Sequence, residues 1–417
     1  MKKTFHILYL SYDGLTDPLG QSQVLPYILG IKQNEKYKFT IISFEKKDAY
    51  NANSTKIKEL LSKYAINWIP INYNKKPPVL STLFDITKLY STIKKINSKE
   101  KVHLLHCRSY ITSLTALKQA KKYNIPFIFD MRGFYADERV DGKIWSKSHF
   151  IYKHIYNYFK KKEKEFLQSS RHTISLTKNG KKEIESWNLP NQSPISIIPC
   201  CTDEKLFKKQ NIVDKRTELG IHKDDFVISY VGSIGTWYML DEMLDFFKEL
   251  TQKKEKTKLL FITKDNPQHI FNKADEFGIK QEAIIIKSSS REMMPSYIGL
   301  SNFSIFFILP VYSKKASSPT KMGEIMNLGI PTICNSGVGD VDEIMEKCMP
   351  ELLVKEFTKK EYNRVIDIII NNYKVNKVNI QNISNEYYSL EKGVEKYKAI
   401  YKNILDEELT HGDTFQL

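Results

Sequence analysis

The chain has 417 residues, room for two or three ordinary domains. Hydrophobic residues make up 41% and aromatics 12%, which supplies sizeable cores and excludes a disordered chain. Lys and Arg number 64 against 48 Asp and Glu, and this surplus of 16 suggests an anionic partner: a nucleotide, a membrane surface or nucleic acid. The five cysteines (107, 200, 201, 334 and 348) are odd in number and contain no CxxC pair. They support neither a disulfide framework nor a zinc site, and they fit a reducing cytoplasm. The apolar run in residues 1–10 is too short for a secretory signal. No run reaches the ~18 apolar residues that span a bilayer. The expectation is a cytoplasmic chain, soluble or peripheral on a membrane.

In chain order, Phe5–Ser11 reads as a buried parallel strand. A polar, Gly-containing loop from Asp13 to Gln23 follows, and a helix starts at Val24. Such a loop is where a doubly wound sheet meets a ligand, and Gly14 and Gly20 would let backbone approach it; an ordinary turn is the alternative. Strands are expected at Phe39–Phe44, Ile66–Ile71 and Val102–Ser109, with helices at Asn51–Lys63, Leu83–Ile96 and Thr112–Tyr123. His103 and His106 have no Cys or His partners nearby, which argues against a metal site. Arg108 and Ser109 fall at a strand's carboxyl end, where open α/β sheets place their sites. The strand Pro126–Asp130 leads into a cluster of charges: Asp130, Arg132, Asp137, Glu138 and Arg139. This cluster is either a self-paired surface or a site in which Arg132 grips a phosphate or carboxylate and Asp130 orients a hydroxyl or that Arg. Ser148–Ser170 is one long helix of interleaved Tyr and Lys, a pattern that fits both a membrane-surface helix and a solvated helix with a core stripe.

Beyond a strand at Ile195–Pro199, a polar stretch to about Asp225 holds the domain boundary. The pattern then restarts: strand Phe226–Val231, a second Gly loop Gly232–Trp237, and a helix from Leu240. Further strands are expected at Leu259–Thr263, Ala283–Lys287 and Phe303–Pro310, with helices at Arg291–Leu300, Glu361–Lys374 and Glu386–Glu407. The most distinctive stretch is Ala316–Ile333. Ser318 is placed to cap a helix, with Pro319 at its first position and Gly329 ending it at φ > 0. The start carries the hydroxyls of Ser317, Ser318 and Thr320, free backbone N–H groups and Lys321, which together suit a diphosphate. Glu324, one turn on, suits a sugar's hydroxyls. A capped helix with one surface Lys and one surface Glu is the plainer alternative.

These segments resemble the nucleotide-sugar-dependent glycosyltransferases of the GT-B fold, specifically the large retaining family 4. Ser11–Gln23 looks like the N-terminal Gly loop of bacterial surface-polysaccharide members, and Asp130–Phe134 like the loop that meets donor sugar and acceptor. Ile198–Asp203 with Phe207 stands at the usual interdomain linker segment. Ser318–Lys321, Glu324 and Gly329–Pro331 look like the nucleotide-sugar helix. The resemblance implies an α/β chain of two doubly wound Rossmann-like domains facing a central cleft. Their bounds would be an acceptor-side domain at 1–205, a nucleotide-sugar domain at 206–385, and a helix at 386–417 returning to the first. It implies that Glu324 binds ribose, that Ser318, Thr320 and Lys321 hold the diphosphate, and that Gly20 brings backbone N–H groups near it. Ser233 and Lys264 would line the donor side. Asp13, Arg108 and Arg132 would line the acceptor side, with Lys321, Arg132 and Asp130 the catalytic set.

Three departures stand out. Ala316 replaces a second Glu common eight residues before the one at 324, Ser233 replaces an Arg, and Trp237-Tyr238-Met239 replaces a Lys-Gly pair. Lys264, Lys287, Arg291 and Lys321 are the candidate replacements for the missing cations. Asp340-Val-Asp342 is the only Asp-x-Asp pair and reads as a helix cap more readily than a metal site. The expectation is therefore a metal-independent reaction without cofactor, with a nucleotide-sugar donor and a saccharide or polyprenyl-linked acceptor beside an anionic membrane surface. A nucleotide-sugar epimerase of the same fold and a basic nucleic-acid-binding protein are the rival readings. The spread of basic residues along the chain argues against nucleic acid.

Overall fold

The structure, a computed structural model, describes residues 4–33, 36–371 and 373–412. It divides into two units, Met1–Pro199 with Leu390–Leu417, and Cys200–Ser389. The first unit holds a parallel sheet in the order β3-β2-β1-β4-β5-β6-β7. These strands are β1 Phe5–Ser11, β2 Tyr37–Glu45, β3 Asn67–Asn72, β4 Leu104–Arg108, β5 Phe127–Asp130, β6 His172–Ser175 and β7 Ile195–Ile197. β1, β4 and β5 are buried throughout, as strands covered by helices on both faces must be. The strand order reverses between β1 and β4. There the register aligns Ser11 with Arg108 and Arg108 with Asp130, so three polar residues share the carboxyl edge at the switch point.

The second unit repeats the scheme in the order β10-β9-β8-β11-β12-β13. Its strands are β8 Phe226–Val231, β9 Thr257–Ile262, β10 Ile284–Lys287, β11 Phe303–Phe306, β12 Thr332–Asn335 and β13 Leu353–Val354. β11 stops at Phe306 although apolar sequence continues to Val311. The Asn335 side chain claims both polar groups of Ile308, accepting from its N–H (2.7 Å) and donating to its carbonyl (2.9 Å). The expected helix from Arg291 is confined to Met294–Ile298, and the one at Glu361–Lys374 is Lys359–Ile370; Asn372 lies outside the described residues.

The units meet the chain six residues before 206 and four after 385, and the reason is local. Cys200 N–H donates to Ser318 Oγ (3.2 Å) and Thr202 N–H to the Tyr388 carbonyl (2.7 Å), which ties 200–202 into the second unit. The last long helix starts at Leu390 rather than Glu386, because Ser389 is extended and a separate helix, Lys377–Tyr388, precedes it. From Leu390 the chain packs on the first unit. Val394 lies so close to Gly30 that a Cβ there would fall 2.6 Å from it, and Tyr397 meets Tyr27 edge-on.

Candidate functional site

In the second unit the site forms at the carboxyl ends of β8 and β11. β8 passes into Gly232, whose φ of +105° suits glycine alone and whose missing side chain leaves room for Lys321. A Cβ on Gly232 would sit 3.3 Å from Lys321 Nζ. Lys321 is 7% exposed, and its ammonium lies over the rings of Tyr238 (3.5 Å) and Tyr230 (4.1 Å). It has no hydrogen-bond acceptor among the described residues. Burial pushes its pKa well below the ordinary value, against the opposing pull of Glu324 and Asp265. The aromatic faces stabilise the cation without filling its donors, so three N–H groups remain for an anionic oxygen.

Glu324 lies one turn further along the Thr320–Asn327 helix and is almost buried. Arg291 pairs with it at 2.9 Å and stacks over Phe207 at 5.2 Å. Burial raises the Glu324 carboxyl, and Arg291 opposes that shift. Ser318 does not cap this helix. Pro319 occupies the cap position without a side-chain bond, and the Ser318 hydroxyl instead holds Cys200. Gly323 presses on Thr202, where a Cβ would meet its Oγ1 at 2.4 Å. Thr320 is half-buried at the helix start, and Gly329 has φ +70°, as its position after the helix requires. Ser233 is exposed in the Gly loop and its carbonyl accepts from Tyr230 (2.6 Å). Lys264 is exposed beside Asp265, which holds the loop's Ile234 N–H. Lys287 is bound to Glu218 at 2.7 Å. Asp342 accepts from Gly337 N–H (2.9 Å), and the Asp340 side chain makes no cap bond.

In the first unit Asp130 is fully buried. Tyr397 Oη donates to its Oδ2 (3.1 Å), His106 Nε2 lies at 3.5 Å, and Arg132 Nη1 at 3.6 Å from Oδ1. Burial works to raise the Asp130 carboxyl, but Arg132, His106 and Arg108 together hold it down at about 2. His106 is kept neutral by burial, and its Nδ1 meets Tyr401 Oη at 2.5 Å. Asp130 is thus enclosed by Tyr397, His106 and Arg132. The loop that presents Arg132 is strained, with φ of +60° at that residue. Arg108 is buried and pairs with half-exposed Asp13 at 3.0 Å. Gly20 lies in a short helix, Pro18–Gln23, packed against the first loop. A Cβ there would strike the Gly14 carbonyl at 2.0 Å, so close packing already requires this glycine. That loop is organised by Glu45, which accepts from Leu15 N–H (2.8 Å), Thr16 N–H (3.1 Å) and Ser43 Oγ (2.6 Å).

The sequence reading missed Glu45, His106, Tyr397 and Tyr401 in the first unit and the Tyr230–Tyr238 walls in the second. His106 had a local signal, since it shares a strand face with Arg108 two residues on. The tyrosines had none, because helix return and loop closure bring them in from distant sequence.

Family comparisons agree with this construction. Residues 33–206 match the Glycosyltransferase Family 4 model, and residues 211–386 match the model for glycosyl transferases group 1. The chain belongs to the GT-B glycosyltransferases. No curated protein matches its sequence. Among solved structures, the glycosyltransferase is similar to sucrose-phosphate synthase from Thermosynechococcus elongatus, with a TM-score of 0.74 and 14% identity over 97% of this chain and 100% of that one. It is also similar to Anabaena HepE in complex with UDP and glucose, with a TM-score of 0.70 and 12% identity over 96% and 100%. The UDP-GlcNAc 2-epimerase from Neisseria meningitidis bound to UDP-GlcNAc gives a TM-score of 0.59 and 12% identity over 96% and 100%. At these identities the likeness is one of fold. Within that fold the enzyme is a sugar transferase.

Proposed function

We propose that this glycosyltransferase moves a sugar, with retention and without a metal ion, from a nucleoside-diphosphate sugar to a glycan or lipid-linked saccharide. The setting we infer is cell-surface polysaccharide synthesis at the inner face of the cytoplasmic membrane. The observation that carries the donor assignment is the Lys321 ammonium, buried beside the Gly232 turn and without an acceptor among the described residues. A diphosphate oxygen is the partner such a cation lacks, and the binding of UDP by HepE supports that class. In this reading Glu324 receives the ribose hydroxyls once Arg291 yields one of its oxygens.

In the reaction the bond from the anomeric carbon to the phosphate oxygen breaks as the bond to the acceptor oxygen forms. The acceptor's proton passes to the departing phosphate, so atoms and charge balance without a further reactant. Lys321 stabilises the charge growing on that phosphate, and its buried setting strengthens the effect. On the acceptor side, in this reading, Arg132, braced by Asp130, orients the incoming saccharide.

The test is a thermal-shift and calorimetric screen of UDP-, GDP-, ADP- and CDP-linked sugars. A matching donor stabilises the fold by mass action. Absence of binding by every nucleotide would overturn the donor assignment. Activity that persists in a chelator supports metal independence, and loss restored by a divalent ion refutes it. The likeness to the epimerase supplies a second reading, separated by incubation with donor alone: an epimerase turns over without acceptor.

A further inference from the structure

We propose that the first unit docks on an anionic lipid bilayer through the first turns of two helices, Leu80–Asn97 and Phe150–Ser169. At the start of the first, Leu80 (63% exposed), Leu83 and Phe84 (60%) point outward on one face. At the start of the second, Phe150 (73%) and Ile151 are exposed. Side chains of this size in solvent, grouped at two helix starts, are what a protein does not leave uncovered without a partner.

Topology puts both groups at one edge. Each helix follows a parallel strand, β3 or β5, and runs back toward the amino end of the next. With 18 and 20 residues they are about 27 and 30 Å long, and each begins at the carboxyl edge. Both lie on the same face, one on each side of the Ser109–Tyr123 helix. Gln119 of that helix bonds the Tyr90 carbonyl (3.2 Å) on one flank, and Lys121 pairs with Glu165 (2.6 Å) on the other. The two helices are therefore about 20 Å apart where they flank the middle one, two helix spacings. That is a two-point footing on a flat surface rather than a groove for a peptide.

Charge identifies the surface as anionic. From Gly142 to Lys162 there is no Asp or Glu. From Tyr73 to Ser98 there is one, Asp85, and it is buried and held by Tyr12 (2.9 Å) and Asn74 (2.8 Å). Lys75, Lys76, Lys143 and Lys153 are exposed around the apolar turns and form no ion pair among the described residues. Apolar wedges ringed by unpaired lysines bind an anionic headgroup layer by insertion and attraction together. The footing differs from the whole Tyr/Lys helix expected from sequence, since further along that helix Tyr156 and Lys160 are bound to Asp137. Arg108, Asp13 and Arg132 share the same sheet edge, so docking would hold the acceptor side close to the lipid. That consequence rests on the lipid-linked acceptor proposed above; the docking itself does not.

The experiment is vesicle co-sedimentation of the full chain at physiological salt, with phosphatidylcholine alone and phosphatidylcholine mixed with phosphatidylglycerol. Binding is expected only with the anionic lipid, and L83S/F84S and F150S/I151S are each expected to weaken it by about tenfold. Unchanged melting and unchanged nucleotide binding in these variants show that fold and donor site are intact, so failure of docking is separable from failure of the donor assignment. The proposal is overturned if the native chain ignores anionic vesicles, if both variants bind like the native chain, or if sedimentation velocity shows these residues instead holding a dimer.

Discussion

Replacing Lys321 by Met separates a role in catalysis from a role in stability. The Met side chain keeps most of the packing against Tyr230 and Tyr238 and removes the ammonium. If Lys321 neutralises the leaving diphosphate, kcat should fall by roughly 10²- to 10³-fold, the loss seen when one oxyanion donor is removed. Stability should move the other way. Burial lowers the folded-state pKa of Lys321 below its ordinary value of 10.5, so the unfolded chain binds that proton more tightly. The penalty is therefore present at neutral pH and disappears as pH rises from the folded value toward the unfolded one, with each unit of depression worth about 1.4 kcal/mol. K321M lacks the penalty and should melt higher at pH 7, by about 2–4 °C per kcal/mol for a domain of this size. Its advantage over the native chain should shrink as pH is raised toward 10. The assays are steady-state transfer rates, calorimetry with the donor nucleotide, and melting curves across pH. Near-normal kcat and nucleotide affinity in K321M, or a melting temperature several degrees lower, would refute the reasoning.

Glu324→Ala should weaken nucleotide binding by about tenfold to a hundredfold, the worth of hydrogen bonds to a charged group, as read by calorimetry. Asp130→Asn should destabilise the first unit by roughly 2 kcal/mol at neutral pH, because a carboxyl held at about 2 contributes stability above its ordinary value of 3.8 that is lost as pH falls toward 2; in denaturant melts the gap between native and variant should be narrower at pH 3 than at pH 7. Tyr397→Phe removes one hydrogen bond to Asp130, about 1 kcal/mol, and should lower kcat while leaving the KM for the donor unchanged. Gly20→Ala forces a Cβ to 2.0 Å from the Gly14 carbonyl and should displace the first loop, visible as a lower melting temperature before any loss of nucleotide affinity.

Much of the fold was legible. Continuous apolar strands such as Phe5–Ser11 and Phe226–Val231 alternate with amphipathic helices, a pattern that calls for two parallel sheets. The Thr320–Asn327 helix, its Lys321–Glu324 spacing and the φ > 0 at Gly329 were also readable. Ser318 misled because a Ser before a helix suits a cap equally well in any sequence, and only the Cys200 N–H, far away in the chain, shows where its hydroxyl goes. Asp130 was read as orienting either a hydroxyl or Arg132, and only its burial behind Tyr397 and His106, beside the Arg132 guanidinium, favours the second.

Local chemistry thus determined which residues can form helices, strands and turns, and which carry charge at the strand ends. That information resides in neighbours a few positions apart. Which of those charges are neutralised was decided by tertiary structure alone. Lys287 meets Glu218, Arg291 meets Glu324, and the Lys321 ammonium lies over aromatic rings with no acceptor among the described residues. Electrostatic energy depends on distance and on the medium between charges, and neither is set until the chain has folded.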